Sequence, residues 1–447
     1  MFQTNSWGEK FRLFLSIMWP ILITQISLHS MTVVDTMMSG RAGTEDLAGV
    51  AVGSGIWMPP FLLITGILMA VTPSVAQFVG SGQRERIPQM VVQSIYMSIA
   101  LSLLFIGVGA VSLEPILQLL SLDEAVHHIA KHYLIGLSFG IIPLFITSVL
   151  RNFFDAQGYT KISMIILLLA VPVNVVLNYV LIFGAWGFPR LGGIGAGYAT
   201  AITYGLMMLL SILFTICLPS IRNYRLFSNW VAPSWRIWRE LLAIGIPIGL
   251  SIFSEASIFS VVTLLMSAQF DTVTIAANQA ALTFAGIMFM MPLSISMALT
   301  ILVGFEVGAK RFKDAAQYAK LGVLSAIGVI TIAVILLYFN RDTVAYLYTR
   351  SDEVAFLIMQ FLIFVIFFQL SDAAQAALQG ILRGFKDVTV PFIIAFTSYW
   401  IIGIPSGYLL ANYTELGPFG YWVGITIGLS CAAVGFGARL AKIYKVL

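Results

Sequence analysis

Charge is scarce in this sequence. Only 10% of its 447 residues are Asp, Glu, Lys or Arg, against about 25% in a soluble domain, which excludes an ordinary water-soluble globule. Cysteine is scarcer still. Cys217 and Cys431 both lie in apolar blocks, so neither a disulfide framework nor a cysteine metal cluster is expected, and both read as small buried apolar side chains. No Walker lysine motif is present, which removes ATP as the expected energy source. "GGIGAG" (192–197) follows no strand and opens an apolar run, so it reads as close helix packing and not as a phosphate loop. "HHIAKH" places His127, His128 and His132 near the end of a span without a third ligand type, and it reads as a solvated helix end. The chain lacks a Gly-x-Gly-Asp element, and no Ser/His/Asp arrangement falls within a span. An enzyme is therefore not expected.

What is abundant is long apolar runs. Stretches such as 91–111 and 321–338 carry no charge over the ~20 residues a helix needs to cross a bilayer. About twelve blocks recur, roughly 13–38, 47–79, 90–120, 127–150, 162–184, 194–218, 241–267, 276–305, 317–339, 355–381, 388–411 and 418–438. The connections between them are too short for a soluble domain. The expected fold is an all-α integral membrane protein of about twelve transmembrane helices. The first block follows "EKFR" with no small-residue cleavage site near its end, so it reads as a span and not as a signal peptide. With the N-terminus inside, nineteen of the twenty-four basic residues fall on inner segments, and the outer ones hold only Arg41, Lys131, Arg190, Arg341 and Arg350. That bias places both termini in the cytoplasm, in a multi-pass protein of the cell's cytoplasmic (inner) membrane. The net charge of +4 is then a topology signal, and no nucleic-acid partner is implied.

The chain also repeats. "LPSIRNYRLFSNWVAPSWRIWRE" (218–240), the longest polar connection, carries four arginines and three tryptophans, as an interfacial cytoplasmic linker should. It divides an N-terminal lobe (1–218) from a C-terminal lobe (241–447), with 219–240 as the linker. "MWPILITQIS" (18–27) matches "GIPIGLSIFS" (245–254), and "LAGVAV…VAQFVGSGQRE" (47–85) matches "IAANQA…VGFEVGAKRFK" (275–313) at an offset of 228. "DAQGYTK" (155–161) matches "ILRGFKD" (381–387) at 226. Each half then forms a six-helix bundle in the same orientation, the two related by a pseudo-two-fold axis. Parallel repeats of this kind are an architecture of secondary transporters.

Three acidic residues stand apart from loops and helix ends: Asp35 in "MTVVDTMMSG", Glu255 in "GLSIFSEASIFSVV" and Asp372 in "FFQLSDAAQAAL". An ionised carboxylate at the bilayer centre costs several kcal/mol. It must face a polar cavity, take up a proton or bind a cation. No Lys or Arg lies mid-span to pair with these acids, so a mobile cation is the expected partner. In the N-terminal half, "AVPVNVVLNYV" puts Asn174 and Asn178 on one helix face behind Pro172, and Thr200 adds a hydroxyl. Their oxygens suit Na⁺ or a protonating Asp35. Methionine is concentrated in "MTVVDTMMSG" and "GIMFMMPLSISM" (286–297) beside these candidates, as suits promiscuous binding. Met31, Asp35, Gln279 and Met288 are the expected substrate contacts.

These pieces together resemble the multidrug and toxic compound extrusion (MATE) transporters, in their bacterial NorM-like branch. The matching segments are "VVDTMMSG" in the first span, "PVNVVLNYV" in the fifth, "SEAS" in the seventh, "SDAAQAALQGILRG" in the tenth, and "VGFEVGAK". The resemblance runs over roughly 10–440. It implies a V-shaped pair of six-helix bundles that exports organic cations in exchange for Na⁺ or H⁺ by alternating access. By position, it makes Glu255 and Asp372 the C-lobe cation (Na⁺) site, and Asp35, Asn174, Asn178 and Thr200 the N-lobe site. Two departures stand out. The branch carries a tyrosine about five residues before the tenth-span aspartate, where this chain has Phe367, and Asn178 replaces an acid found in some relatives. The expected protein is a monomeric antiporter in the lipid bilayer, with organic cations as substrates and no cofactor beyond the coupling ion. A flippase for lipid-linked saccharides is the alternative, and it would need basic residues lining its cavity.

Overall fold

Apolar blocks of this length fold as helices because a bilayer offers the backbone no other hydrogen-bond partners. The computed structural model describes all 447 residues and contains no strand. Eight helices come first: α1 (Trp7–Ala42), α2 (Thr44–Leu68), α3 (Val71–Ser81), α4 (Ile87–Leu119), α5 (Glu124–Ser138), α6 (Ile141–Ala156), α7 (Thr160–Phe183) and α8 (Gly193–Cys217). A single turn, α9 (Pro219–Arg222), leads into α10 (Trp235–Gln269), α11 (Thr272–Gly308), α12 (Phe312–Tyr348), α13 (Asp352–Gly384), α14 (Thr389–Phe396), α15 (Ile404–Tyr413) and α16 (Phe419–Val446). A π-helical stretch, Thr397–Gly403, joins α14 to α15. Eleven segments are long and apolar enough to cross a membrane. The pair α5 and α6, bent by 50°, supplies the twelfth. The bend falls at Gly140, where a Cβ would sit 2.6 Å from the Ala201 Cα of α8, so the chain there approaches α8 too closely for any other residue.

The chain packs as two compact units, one of residues 19–249 and one of residues 1–18 with 250–447. These differ from the sequence lobes at both ends of the first lobe, and each difference has a local cause. Residues 1–18 pack on C-terminal helices because Lys10 is buried there. Its Nζ donates to the Thr4 carbonyl at 2.8 Å and pairs with Asp314 at 2.9 Å, while the Thr4 and Tyr318 hydroxyls meet at 2.9 Å. The linker packs on N-terminal helices because buried Gln93 binds it: the side chain donates to the Ala232 carbonyl and accepts from Ser234 N and Trp238 Nε1.

In the N-terminal unit α8 packs on α5, α6 and α7, and α2 packs on α5. In the C-terminal unit α13 is central, packed on α11, α12 and α16 around Phe361, Phe368, Trp422 and Phe436. The "GGIGAG" glycines serve close packing as expected: a Cβ on Gly197 would lie 2.3 Å from the Tyr133 carbonyl oxygen of α5. Large apolar side chains also point outward, among them Leu104, Val108 and Val111 of α4 and Leu209, Leu213 and Ile216 of α8, as a lipid solvent allows. Two sequence readings need correction. Cys217 is exposed and Cys431 half-buried, because Cys217 ends α8 next to that outward row. Asp155 and Glu306 join the acids buried in helices, at 4% and 0% exposure. Both lie near span ends, where a cation is in reach: Arg151 one turn before Asp155, and Arg311 Nε 2.5 Å from Glu306.

Candidate functional site

The N-terminal unit gathers its predicted polar residues into one buried cluster. Asp35 on α1 is 7% exposed. Asn178 on α7 donates to its Oδ1 at 2.5 Å, and Thr200 on α8 donates to its Oδ2 at 2.9 Å. The fourfold spacing of the asparagines does what a helix face should: Asn178 Nδ2 also donates to Asn174 Oδ1 at 3.1 Å. Asn174 Nδ2 reaches the Thr203 hydroxyl at 3.4 Å. Each oxygen of the carboxylate is thus held by a neutral donor. Asn178 Oδ1 is buried with no hydrogen-bond partner, which leaves a hard neutral oxygen beside Asp35. Tyr133 and Tyr204 lie within its electrostatic reach. Thr203 was legible in principle, three residues and so about one turn after Thr200 on the same helix.

The C-terminal unit builds a second cluster around one amide. Gln375 Nε2 donates to Asp372 Oδ1 at 2.8 Å and to Glu255 Oε1 at 3.0 Å, and its Oε1 accepts from the Tyr399 hydroxyl at 3.0 Å. Both hydrogens of the amide are therefore spent on carboxylates. Asp372 and Gln375 share a face of α13 at i, i+3, Glu255 comes from α10, and Tyr399 comes from the π-helical stretch. Trp400, the next residue, donates to the Ser254 carbonyl at 3.2 Å. A π-turn is a costly backbone often found at functional sites, and here it carries both side chains toward α10 and α13.

Three sequence expectations change on this geometry. Arg383, read as an inner-segment cation, belongs to the buried end of α13 at 6% exposure and interacts electrostatically with Glu255. The acids therefore do have a basic neighbour, because a long side chain at a helix end reaches back into its bundle. Phe367 points away from the cluster and is 59% exposed, since five residues turn a helix by about 140° from Asp372. Tyr399 supplies the phenolic hydroxyl instead. Glu255 itself is only half-buried. Of the expected substrate contacts, Met31 and Asp35 fall in the N-terminal unit, with Met31 buried. Gln279 and Met288 fall in the C-terminal one, where Gln279 is exposed and Met288 packs against the core. These histidines sit at a helix end: His127 lies 3.1 Å from Glu114, and the His128 and His132 rings lie 4.1 Å apart, tilted by 39°.

The MatE family model matches the chain twice, over residues 20–180 and 247–409. The chain belongs to the MATE family. The two matches start 227 residues apart (20 and 247), beside the offsets read from the repeated segments. MATE relatives named "Probable multidrug resistance protein NorM" include one from Halalkalibacterium halodurans, 51% identical over 100% of this chain and 97% of its own length. Another, from Bacillus subtilis, is 48% identical over 100% and 98%. The fold is that of solved MATE transporters. A mutant of the Vibrio cholerae transporter VcmN superposes with a TM-score of 0.87 at 20% identity, over 97% of this chain and 98% of that one. The eukaryotic transporter AtDTX14 does so with a TM-score of 0.85 at 22% identity, over 97% and 96%.

Proposed function

We propose that this protein is a cation-coupled multidrug efflux antiporter of the cytoplasmic membrane, with both termini in the cytoplasm, exporting organic cations in exchange for Na⁺ or H⁺. The observation that carries the reading is the pair of intramembrane carboxylate clusters, one in each unit, held by neutral amides and hydroxyls. Carboxylates in such surroundings bind a cation or a proton to offset the cost of burial. The names of the NorM relatives supply the multidrug class.

Charge counting adds a stoichiometry to the proposal. Glu255 and Asp372 with the nearby Arg383 leave one net negative charge when both acids are ionised. One Na⁺ or one proton neutralises that cluster, and one more neutralises Asp35. An organic cation competes for the same charge. Cation and drug then favour different conformations, and each lowers the other's affinity by the same factor. Asn178 Oδ1, without a partner beside Asp35, is the neutral oxygen we assign to the N-terminal cation.

The test is uptake of a fluorescent organic cation into proteoliposomes with a Na⁺ gradient or a pH gradient imposed separately. Uptake driven by either gradient supports the proposal and names the ion. Uptake that follows the substrate gradient alone contradicts it.

A further inference from the structure

The linker that joins the two repeats builds a cavity unrelated to the carboxylate clusters. It has a volume of about 950 Å³ and lies where α8 ends and the linker turns back. Its floor is fixed by packing. Ile221 and Leu226 are 0% and 2% exposed, Tyr224 meets Phe153 edge-on at 5.6 Å, and Phe227 stacks on Trp230 at 5.8 Å. With these side chains turned inward, Arg222, Asn223, Arg225 and Ser228 are left exposed to line the cavity.

The cavity is unbalanced in charge. No acidic residue occurs between 218 and 235. The ion pairs of the structure leave out both Arg222 and Arg225, and the nearest linker pair, Arg236 with Glu240, is separate. Arg84 adds a third cation within electrostatic reach of Tyr224. The backbone points the same way. Arg225 has φ +48°, a left-handed conformation that costs an arginine free energy and would suit asparagine or glycine better. Strain of this kind persists where the surroundings and a function retain it.

The cavity is also amphipathic. Ile216, which lines it, ends an exposed row on α8 with Leu213 and Leu209, at 53%, 54% and 62% exposure. That exposed apolar row ends at the cavity that the two arginines also line. Trp230 and Trp235 within the linker are 53% and 68% exposed, and tryptophan is a residue type enriched where proteins meet lipid headgroups.

We propose that this cavity binds an anionic phospholipid, its phosphate between Arg222 and Arg225 and its acyl chains along Leu209, Leu213 and Ile216. Arginine is suited to the phosphate because its planar donors match the oxygens in pairs. A basic site at the edge of a span is a recognised means of holding anionic headgroups. A free phosphate would use the arginines but leave the apolar row uncovered, so the lipid is the occupant the whole surface fits.

The test is native mass spectrometry of the full-length protein in detergent, supplied with equal amounts of phosphatidylglycerol and phosphatidylcholine. The wild type should retain phosphatidylglycerol in preference. The double variant Arg222→Gln, Arg225→Asn should lose that preference by about tenfold or more, since two cation–phosphate contacts are removed. Asparagine accepts the left-handed backbone at 225, so an unchanged thermal midpoint is expected and shows that the loss is not unfolding. Equal retention of the two lipids by the wild type overturns the proposal whether or not the variant folds. So does undiminished phosphatidylglycerol binding by a folded variant. Displacement of the lipid by inorganic phosphate at matching concentration would make this a free-anion site and overturn it as well.

Discussion

Asp35 has both carboxylate oxygens occupied by neutral donors, and Gln375 spends both amide hydrogens on Glu255 and Asp372. The surrounding amides and hydroxyls can orient a charge on these acids without neutralising it, and Arg383 is the one cation in electrostatic reach of Glu255. Asp35→Asn, Glu255→Gln and Asp372→Asn each keep size and hydrogen-bonding capacity but remove the charge. Each should reduce gradient-driven uptake to the background of empty liposomes while the protein inserts normally by immunoblot. Gln375→Leu is the sharper test, because it leaves all three acids in place. A hydrogen bond to a charged group is worth about 1.5–3 kcal/mol. Losing both, about 3–6 kcal/mol together, should therefore move the half-saturating concentration of the coupling cation by roughly 100-fold or more, read as uptake against Na⁺ concentration or pH. An unchanged midpoint would remove the amide from the site. At this scale the sequence was legible where neighbours share one helix. Asn174 and Asn178, one turn apart, read as one face and do meet, whereas Gln375 was not singled out although its contact with Asp372 follows from the same geometry. Arg383 and Tyr399 were not legible, because one reaches back from a helix end and the other depends on a π-turn that no spacing announces.

Helices in this chain touch where glycine lets their backbones meet. On α13, a Cβ at Gly380 would lie 2.3 Å from the Ser296 carbonyl oxygen of α11. Backbone cannot yield as a side chain can, so Gly380→Ala should destabilise the C-terminal unit by about 1–3 kcal/mol. The drop will be visible as a lower thermal midpoint of the purified protein, and an unchanged midpoint would mean that α13 does not pack there. The start of α11 offers a pH test. Asp271 accepts the hydroxyl and the backbone N–H of Thr274 and caps the helix, which holds its carboxyl below the usual carboxylate range. A depressed pKa in the folded state means that the stabilisation is present above the unfolded carboxylate's pKa and lost as pH falls through the folded value. Asp271→Asn keeps a capping oxygen but has no proton to take up. Its thermal midpoint should fall less steeply than that of the wild type between neutral pH and about pH 3. Parallel curves would exclude this cap as a titrating contribution. Element positions were readable from apolar run lengths, and all twelve blocks correspond to spans. The breaks were not, because the bend at Gly140 follows from a close approach to α8 that only the packed unit contains.

Across the whole chain, the repeat was visible as offset matches, and the family model reports it again as two matched segments. The partition of the chain was harder to read. Lys10 and Gln93 decide which unit the ends of the first lobe join, and each does so through a buried side chain whose partners are hundreds or scores of residues away. Sequence distance gives no hint of such contacts. The central claim is exchange: organic cation and coupling ion compete for the same carboxylates. Its most direct measurement is ion release on substrate binding. Purified protein is equilibrated with radiolabelled Na⁺, or with a pH indicator at low buffer strength, and an organic cation is added. The account predicts that bound Na⁺ or protons are released as the organic cation binds, and that the triple variant Asp35→Asn, Glu255→Gln, Asp372→Asn releases none. Saturable binding of the organic cation to the wild type without release of either ion would contradict it.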